Sequence, residues 1–196
     1  MDNFEVLKPF GPSIVKIKMP NEMIKEINDY VDFIIKDEQK IKKLDEGHKL
    51  IGKVHQEFLM EVDFMKKIKW AEFLASNISS WAKEELKKEI KNFHLIKSWV
   101  VRQFKNDYNP IHWHTGDISG VGYLKVPSHL GNTSQPDKKT NENGKLQLIF
   151  GSPNLFSKST FLVKPELGDF YLFPNYLMHT VYPFTGTDEE RRSVSF

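Results

Sequence analysis

Asn109-Pro110-Ile111-His112-Trp113-His114-Thr115-Gly116-Asp117-Ile118-Ser119-Gly120-Val121-Gly122-Tyr123-Leu124 is the stretch on which the reading of this chain turns. His112 and His114 are two residues apart, and on extended backbone that spacing points both imidazoles to one face. A third imidazole from a separate strand would complete a facial set of three nitrogens around one metal ion, leaving the opposite side open. The chain has seven histidines. His48 and His55 sit among polar residues, His129 lies in a polar run and His94 opens a strand, so solvent or a structural role accounts for these four. A His-x-His pair taken alone also fits an exposed strand. The distant partner is what distinguishes this one. Gly168-Asp169 reads as a tight turn into the apolar strand Phe170-Tyr171-Leu172-Phe173, Pro174-Asn175 breaks it, and His179 starts the next strand.

Working outward, 196 residues suit one domain with a substantial core. Hydrophobic residues at 39% and charged residues at 28% are the proportions of an ordinary globular chain rather than a disordered one. The net charge is +2 with no block of like charge, so neither nucleic acid nor an anionic membrane is expected as a partner. The absence of cysteine excludes disulfides, thiolate metal sites and cysteine nucleophiles. Met1-Asp2-Asn3-Phe4 lacks a basic segment followed by an apolar run, so no signal peptide is expected. No apolar stretch is long enough to span a bilayer, and the expectation is a soluble cytoplasmic protein.

Phe4 to Lys18 reads as two short strands broken at Gly11-Pro12. Asn21 is a candidate N-cap for a helix whose Ile24, Ile27, Val31 and Ile34 recur at helical spacing. Lys36 to Gly52 is charged and weakly patterned, a short helix or a loop. A longer helix is expected from about Lys69 to Ile90, with Trp70, Phe73, Leu74, Ile78, Trp81 and Leu86 as its core stripe. The character changes near Asn92. Strands are expected over His94–Lys105, Asp117–Val126, Leu146–Phe150, Ser159–Val163, Asp169–Phe173, His179–Pro183 and Arg191–Phe196. The polar run from Pro127 to Gly144 is long for a compact domain and reads as a functional lid or a disordered segment, expected to be mobile or poorly ordered without substrate and to border the pocket mouth. Helices followed by many short strands indicate an α+β chain with a closed or double-layered β half, 1–91 mainly helical support and 92–196 the β core.

Only three arginines occur, Arg102, Arg191 and Arg192, in a chain that otherwise uses lysine. A planar guanidinium matches a carboxylate in two prongs as an ammonium does not. Arg191 and Ser193 share one face of the last strand. Arg192 is expected to solvate that strand from the other side.

The ordered set His112-x-His114, Ser119-Gly120-x-x-Tyr123, Gly168-Asp169-x-x-x-Phe173-Pro174, His179 and Arg191-x-Ser193-x-Ser195-Phe196 resembles the iron(II)- and 2-oxoglutarate-dependent dioxygenases. More narrowly, it resembles a group of microbial and phage members with His-x-His before a Ser-Gly-x-x-Tyr strand. The resemblance covers roughly Trp99 to Phe196. It implies a double-stranded β-helix, or jelly roll, with the N-terminal helices on its outer face. It implies iron(II) held by His112, His114 and His179, 2-oxoglutarate paired through its distal carboxylate with Arg191 and Ser193, Tyr123 lining the same pocket, and molecular oxygen as oxidant. No catalytic side chain beyond the metal ligands is implied. The substrate is expected to be a peptide or small molecule.

Most of the wider superfamily carries Asp or Glu where this chain has His114. Three neutral imidazoles leave the full metal dication for the cosubstrate dianion to balance. Asp117 could replace His114 as ligand if a turn at Thr115-Gly116 swung it inward, and that donor set stays open. A histidine here also leaves no space for a halide, which argues against halogenase chemistry. A three-histidine β-barrel dioxygenase without keto acid and a non-catalytic jelly-roll module are the other classes the chain is compatible with.

Overall fold

The computed structural model describes residues 4–7, 11–49, 52–133, 135, 137–152, 155 and 157–196. Two short strands come first, β1 (Phe4–Leu7) and β2 (Ile14–Lys18), then the helices α1 (Asn21–Ile34) and α2 (Glu38–Leu44). Strand β3 (Gln56–Leu59) separates them from α3 (Val62–Lys67) and α4 (Trp70–Leu86). The C-terminal half is β4 (Trp99–Gln103), β5 (Asn109–His112), β6 (Ile118–Lys125), β7 (Leu146–Ile149), β8 (Thr160–Val163), β9 (Asp169–Pro174), β10 (Met178–Val181) and β11 (Arg191–Ser195).

These strands form two antiparallel sheets. The larger runs β1-β2-β9-β6-β11-β4-β3 and the smaller β5-β10-β7-β8. The period-two alternation of each strand divides its side chains between two cores. Tyr123, Tyr171 and Phe173 face the smaller sheet's Leu146, Leu148 and Val163. Val100, Leu124, Phe170, Leu172 and Val194 face outward and are covered by Ile27, Val31 and Ile34 of α1 and by Trp70, Leu74 and Ile78 of α4. This is the jelly roll with helices on the outer face. The buried indole N–H groups tie α4 to the strands, Trp70 Nε1 donating to Ser98 Oγ at 2.8 Å and Trp81 Nε1 to Ser13 Oγ at 3.0 Å.

The glycines of Ser119-Gly120-Val121-Gly122-Tyr123 have a packing cause. A Cβ on Gly122 would sit 2.3 Å from the Phe170 ring, and one on Gly120 would sit 2.6 Å from Phe196. The aromatic rings lie directly on the β6 backbone, which only glycine permits.

The local readings shift in several places. Asn21 is the first helical residue rather than the cap, and Pro20 stands at the N-cap with no side-chain bond. Pro20 brings no N–H of its own, and its carbonyl accepts the first helical bond from the Ile24 N–H at 3.1 Å. The weakly patterned Lys36–Gly52 holds a helix capped by Asp37, which accepts from the N–H groups of Gln39 and Lys40, and a 3-10 turn at Gly47–Lys49. The long helix ends at Leu86, because Lys87 adopts a left-handed conformation with φ 54°, and Leu86 is exposed rather than in the stripe.

Arg192 corrects a further expectation. It is not solvated but 0% exposed, on the helix side of β11. Its Nη2 donates to Asp32 at 2.7 Å, its Nε to Glu190 at 2.7 Å and its Nη1 to the backbone and side-chain oxygens of Asn28 at 3.1 Å. The guanidinium thus anchors α1 to the sheet. Truncation would remove the buried cation that Asp32 and Glu190 share, leaving them to Lys125 and Arg102. Arg192→Ala is expected to destabilise the protein by about 3 kcal/mol. That lowers Tm by roughly 6–12 °C for a chain of this size, as calorimetry would read.

Candidate active site

The pairing of β5 with β10 sets His112 directly opposite His179. His114 lies just past the end of β5 and is held from the β9–β10 connection: Asn175 Nδ2 donates to the His114 carbonyl at 3.1 Å, and the Asn175 N–H donates to the Asp117 carbonyl at 3.1 Å. Ring centroids are 4.2 Å apart for His112–His179 and 5.0 Å for both His112–His114 and His114–His179. One ligand nitrogen from each lies within 4.8 Å of the others. Asp117 is exposed and does not join this group.

The donor set suits a divalent transition metal. His112 Nδ1 lies 2.7 Å from the Pro110 carbonyl and His179 Nδ1 lies 3.0 Å from that of Leu177. A carbonyl only accepts, so in both rings Nδ1 carries the hydrogen and Nε2 the lone pair, which at His112 faces Asn109 Nδ2 at 3.4 Å. Burial lowers all three imidazole pKa values, His179 to about 3 and His114 to about 4, with the neighbouring imidazoles adding to the effect at these two. Neutral rings are what a metal needs. With imidazole–metal bonds of roughly 2.1 Å, three nitrogens on one face of an ion would stand about 3 Å apart, so the rings would close in on binding.

The histidines line a cavity of about 260 Å³ between the sheets, together with Tyr123, Arg191 and Ser193. Arg191 is 3% exposed. Its Nη1 donates to the Gly144 carbonyl at 2.5 Å and its Nη2 to Gln103 Oε1, while its Nε has no partner. Among the described residues it forms no ion pair. Burial lowers its pKa to about 10 despite the opposing fields of Tyr123 and Asp107. An orphaned buried guanidinium edge is a fitted receptor for a carboxylate. Ser193 stands beside Tyr123 in the β11–β6 register, on the same face. Burial pushes the Tyr123 hydroxyl pKa up, so it stays a neutral donor.

A larger cavity of about 440 Å³ shares Lys97, Trp99 and His114 but is otherwise lined by residues such as Ile78, Phe93 and Ile118. Size alone would select it, yet the three imidazoles and the guanidinium converge in the smaller one. The expected lid is also corrected. No described residue of Pro127–Gly144 lines the histidine cavity. Asn143 Nδ2 donates to the Leu130 carbonyl at 3.1 Å and to Thr185 Oγ1 at 3.2 Å, and Asn141 Nδ2 donates to the Gly131 carbonyl at 2.7 Å. The asparagines that made the run look like a loose lid cap its own carbonyls. Ser134 and Pro136 lie outside the described residues. Among the described residues, the loop reaches the site through the Gly144 carbonyl on Arg191.

His48, His55, His94 and His129 are exposed and away from the cluster, as expected. Sequence reasoning missed Gln103, Asn175 and Glu57. Gln103 lies in an expected strand, two residues from Val101, and its alternation was the available signal. Glu57 sits on β3, a strand too short to stand out from its polar surroundings. It is 5% exposed, and burial lifts its pKa from 4.5 to about 7 against the lowering field of Lys97. The unfolded chain releases this proton near 4.5 and the folded chain only near 7, so the contribution is present at low pH and fades as pH rises between them. In the metal-free protein Glu57→Gln is expected to remove that loss, gaining roughly 2–3 kcal/mol over wild type at pH 8, measured by urea unfolding at several pH values.

The sequence matches the family model described as "Putative 2OG-Fe(II) oxygenase" over residues 97–196, just over half of the chain. No curated protein matches it. Among solved structures, it is similar to a prolyl-4-hydroxylase from Pseudomonas putida at 12% identity and TM-score 0.58, covering 93% of this chain and 89% of that one. It is similar to the viral collagen prolyl hydroxylase of Paramecium Bursaria Chlorella virus-1, solved as a 2OG complex, at 16% identity and TM-score 0.53, covering 93% of each chain. HygX from Streptomyces hygroscopicus, solved with nickel and 2-oxoglutarate, matches at 11% identity and TM-score 0.56, covering 96% of this chain and 81% of that one. At these identities the likeness is one of fold.

Proposed function

The chain belongs to the 2OG-Fe(II) oxygenase family, and on that premise we propose that it is a hydroxylase of a peptide or small molecule, with His112, His114 and His179 as iron ligands and Arg191, Ser193 and Tyr123 as cosubstrate contacts. The family's enzymes are oxidoreductases that use iron(II), 2-oxoglutarate and molecular oxygen. When bound, iron(II) would activate molecular oxygen as the oxidant, with 2-oxoglutarate supplying two electrons and leaving as succinate and carbon dioxide. This chain's residues bind and orient. His112 and His179 present Nε2 because backbone carbonyls hold Nδ1–H. Gln103 and Gly144 hold the guanidinium so that its Nε edge stays free for the distal carboxylate.

The observation that carries the reading is Arg191, a buried cation without an anion on the wall of the cavity that holds the three imidazoles. It favours a keto-acid enzyme over a three-histidine dioxygenase without one, which has no use for such a receptor. Within the family we place the chain in the narrower group with His-x-His before Ser-Gly-x-x-Tyr, on the order of its motifs. We take 1–196 as one unit, the helical part bracing the β core through Trp70 and Arg192. No nucleic-acid or membrane partner is proposed, and among the described residues no helix is long and apolar enough to cross a membrane. The expected result is release of carbon dioxide from C1-labelled 2-oxoglutarate that depends on both iron(II) and oxygen. Metal binding without keto-acid turnover or binding would select the keto-acid-free dioxygenase, and no metal binding would select the non-catalytic module.

A further inference from the structure

Glu57 is a buried carboxylate that the proposed chemistry does not use. β3 pairs with β4 in a register that sets Glu57 beside Val101, and alternation sends Phe58 into the helix-covered core and Glu57 to the cavity side. The backbone around it is fixed: its N–H donates to Asp45 Oδ1 at 3.0 Å and its carbonyl accepts from the Glu46 N–H at 2.7 Å. The side chain lines the histidine cavity near Trp99, and among the described residues its carboxylate has neither a hydrogen bond nor an ion pair. Burying such a group without a partner is costly, so a buried, unpartnered carboxylate facing a binding cavity marks where a guest must supply the counter-charge.

The lining indicates which guest: among the described residues Glu57 is the one acidic side chain on the cavity wall, and a carboxylate there selects a group of opposite charge. Lys97 is the nearby cation, but it is exposed and its Nζ sits over the Trp99 ring, 4.8 Å from the centroid, rather than on the carboxylate. That contact also shows that the aromatic wall accepts an ammonium.

We propose that Glu57 is the specificity-determining residue of the substrate site, and that the substrate carries a cationic nitrogen, an ammonium or guanidinium, which Glu57 receives beside Trp99. This deepens the hydroxylase reading and rests on it for the identity of the bound guest as substrate. Lysine- or arginine-bearing peptides and free amines or guanidines fall in the class. The elevated pKa of Glu57 is consistent with a carboxylate awaiting its counter-ion.

The test uses the nickel-loaded full chain and two isosteric pairs, N-acetyl-lysine methylamide against N-acetyl-norleucine methylamide, and butylguanidine against butylurea, titrated by calorimetry with and without 2-oxoglutarate. Wild type should bind each cation roughly ten- to a hundredfold more tightly than its neutral counterpart, the scale of one charge-assisted hydrogen bond. Glu57→Gln should abolish that preference while keeping the wild-type affinity for 2-oxoglutarate. Lys97→Gln, at an exposed position that does not threaten folding, should tighten both cations by removing a like charge. Equal binding within pairs, no binding of either cation, or a preference that survives Glu57→Gln overturns the proposal. A cation preference without any 2-oxoglutarate binding would keep Glu57's role and count against the hydroxylase reading. 2-Oxoglutarate binding without the preference would do the reverse.

Discussion

His179→Ala is expected to weaken binding of iron(II) or nickel by three or more orders of magnitude in anaerobic equilibrium dialysis, a loss of several kcal/mol. His179 is the most buried of the three imidazoles and stands on β10, paired on one side with β5 and on the other with β7. No neighbouring donor can move into its place, since among the described residues no other His, Asp or Glu joins the cluster. His112→Ala should behave alike. His114 lies beyond the strand end and is positioned through Asn175, so Asn175→Ala should weaken metal binding by a smaller factor, about 10–100-fold. Asp117→Ala should leave binding unchanged. Loss of binding in Asp117→Ala with retention in His114→Ala would instead make the aspartate the ligand.

Arg191→Ala should raise the Kd for 2-oxoglutarate by one to three orders of magnitude, because truncating one partner of a buried charge pair costs roughly 2–5 kcal/mol. Arg191→Lys should recover only part of the loss, as an ammonium cannot present the Nε–Nη edge. Titration of 2-oxoglutarate into the nickel-loaded protein reads this without any knowledge of the substrate. Arg192→Ala is the internal comparison. Its side chain lies on the opposite face among Asp32, Glu190 and Asn28, so it should lower Tm while leaving 2-oxoglutarate affinity intact. Equal effects of the two arginines on 2-oxoglutarate affinity would remove Arg191 from the cosubstrate site.

Several features were determined by the sequence itself, because they follow from local backbone geometry. Spacing of two on extended chain puts Arg191 with Ser193 on a shared face of β11, whereas His114, past the end of β5, joins His112 with the help of Asn175. The α1 stripe of Ile24, Ile27, Val31 and Ile34 is likewise a consequence of helical period, and all four are buried. The β core was legible because its strands are short runs rich in apolar and β-branched residues separated by turn residues. β3 was not, at four residues in a polar setting.

What only the tertiary structure decided is which faces are covered, and by what. Alternation says that Arg191 and Arg192 point to opposite sides. It does not say that both sides are buried, one by α1 and the other by the second sheet, and so it misjudged Arg192. The meeting of His112 with His179 depends on strands distant in the chain adopting one register. The same holds for Gln103 and the Gly144 carbonyl on Arg191, for Asn175 behind His114 and for Glu57 in the cavity wall. These are polar residues of ordinary appearance whose roles arise from burial, and burial is a property of long-range packing that no local pattern encodes.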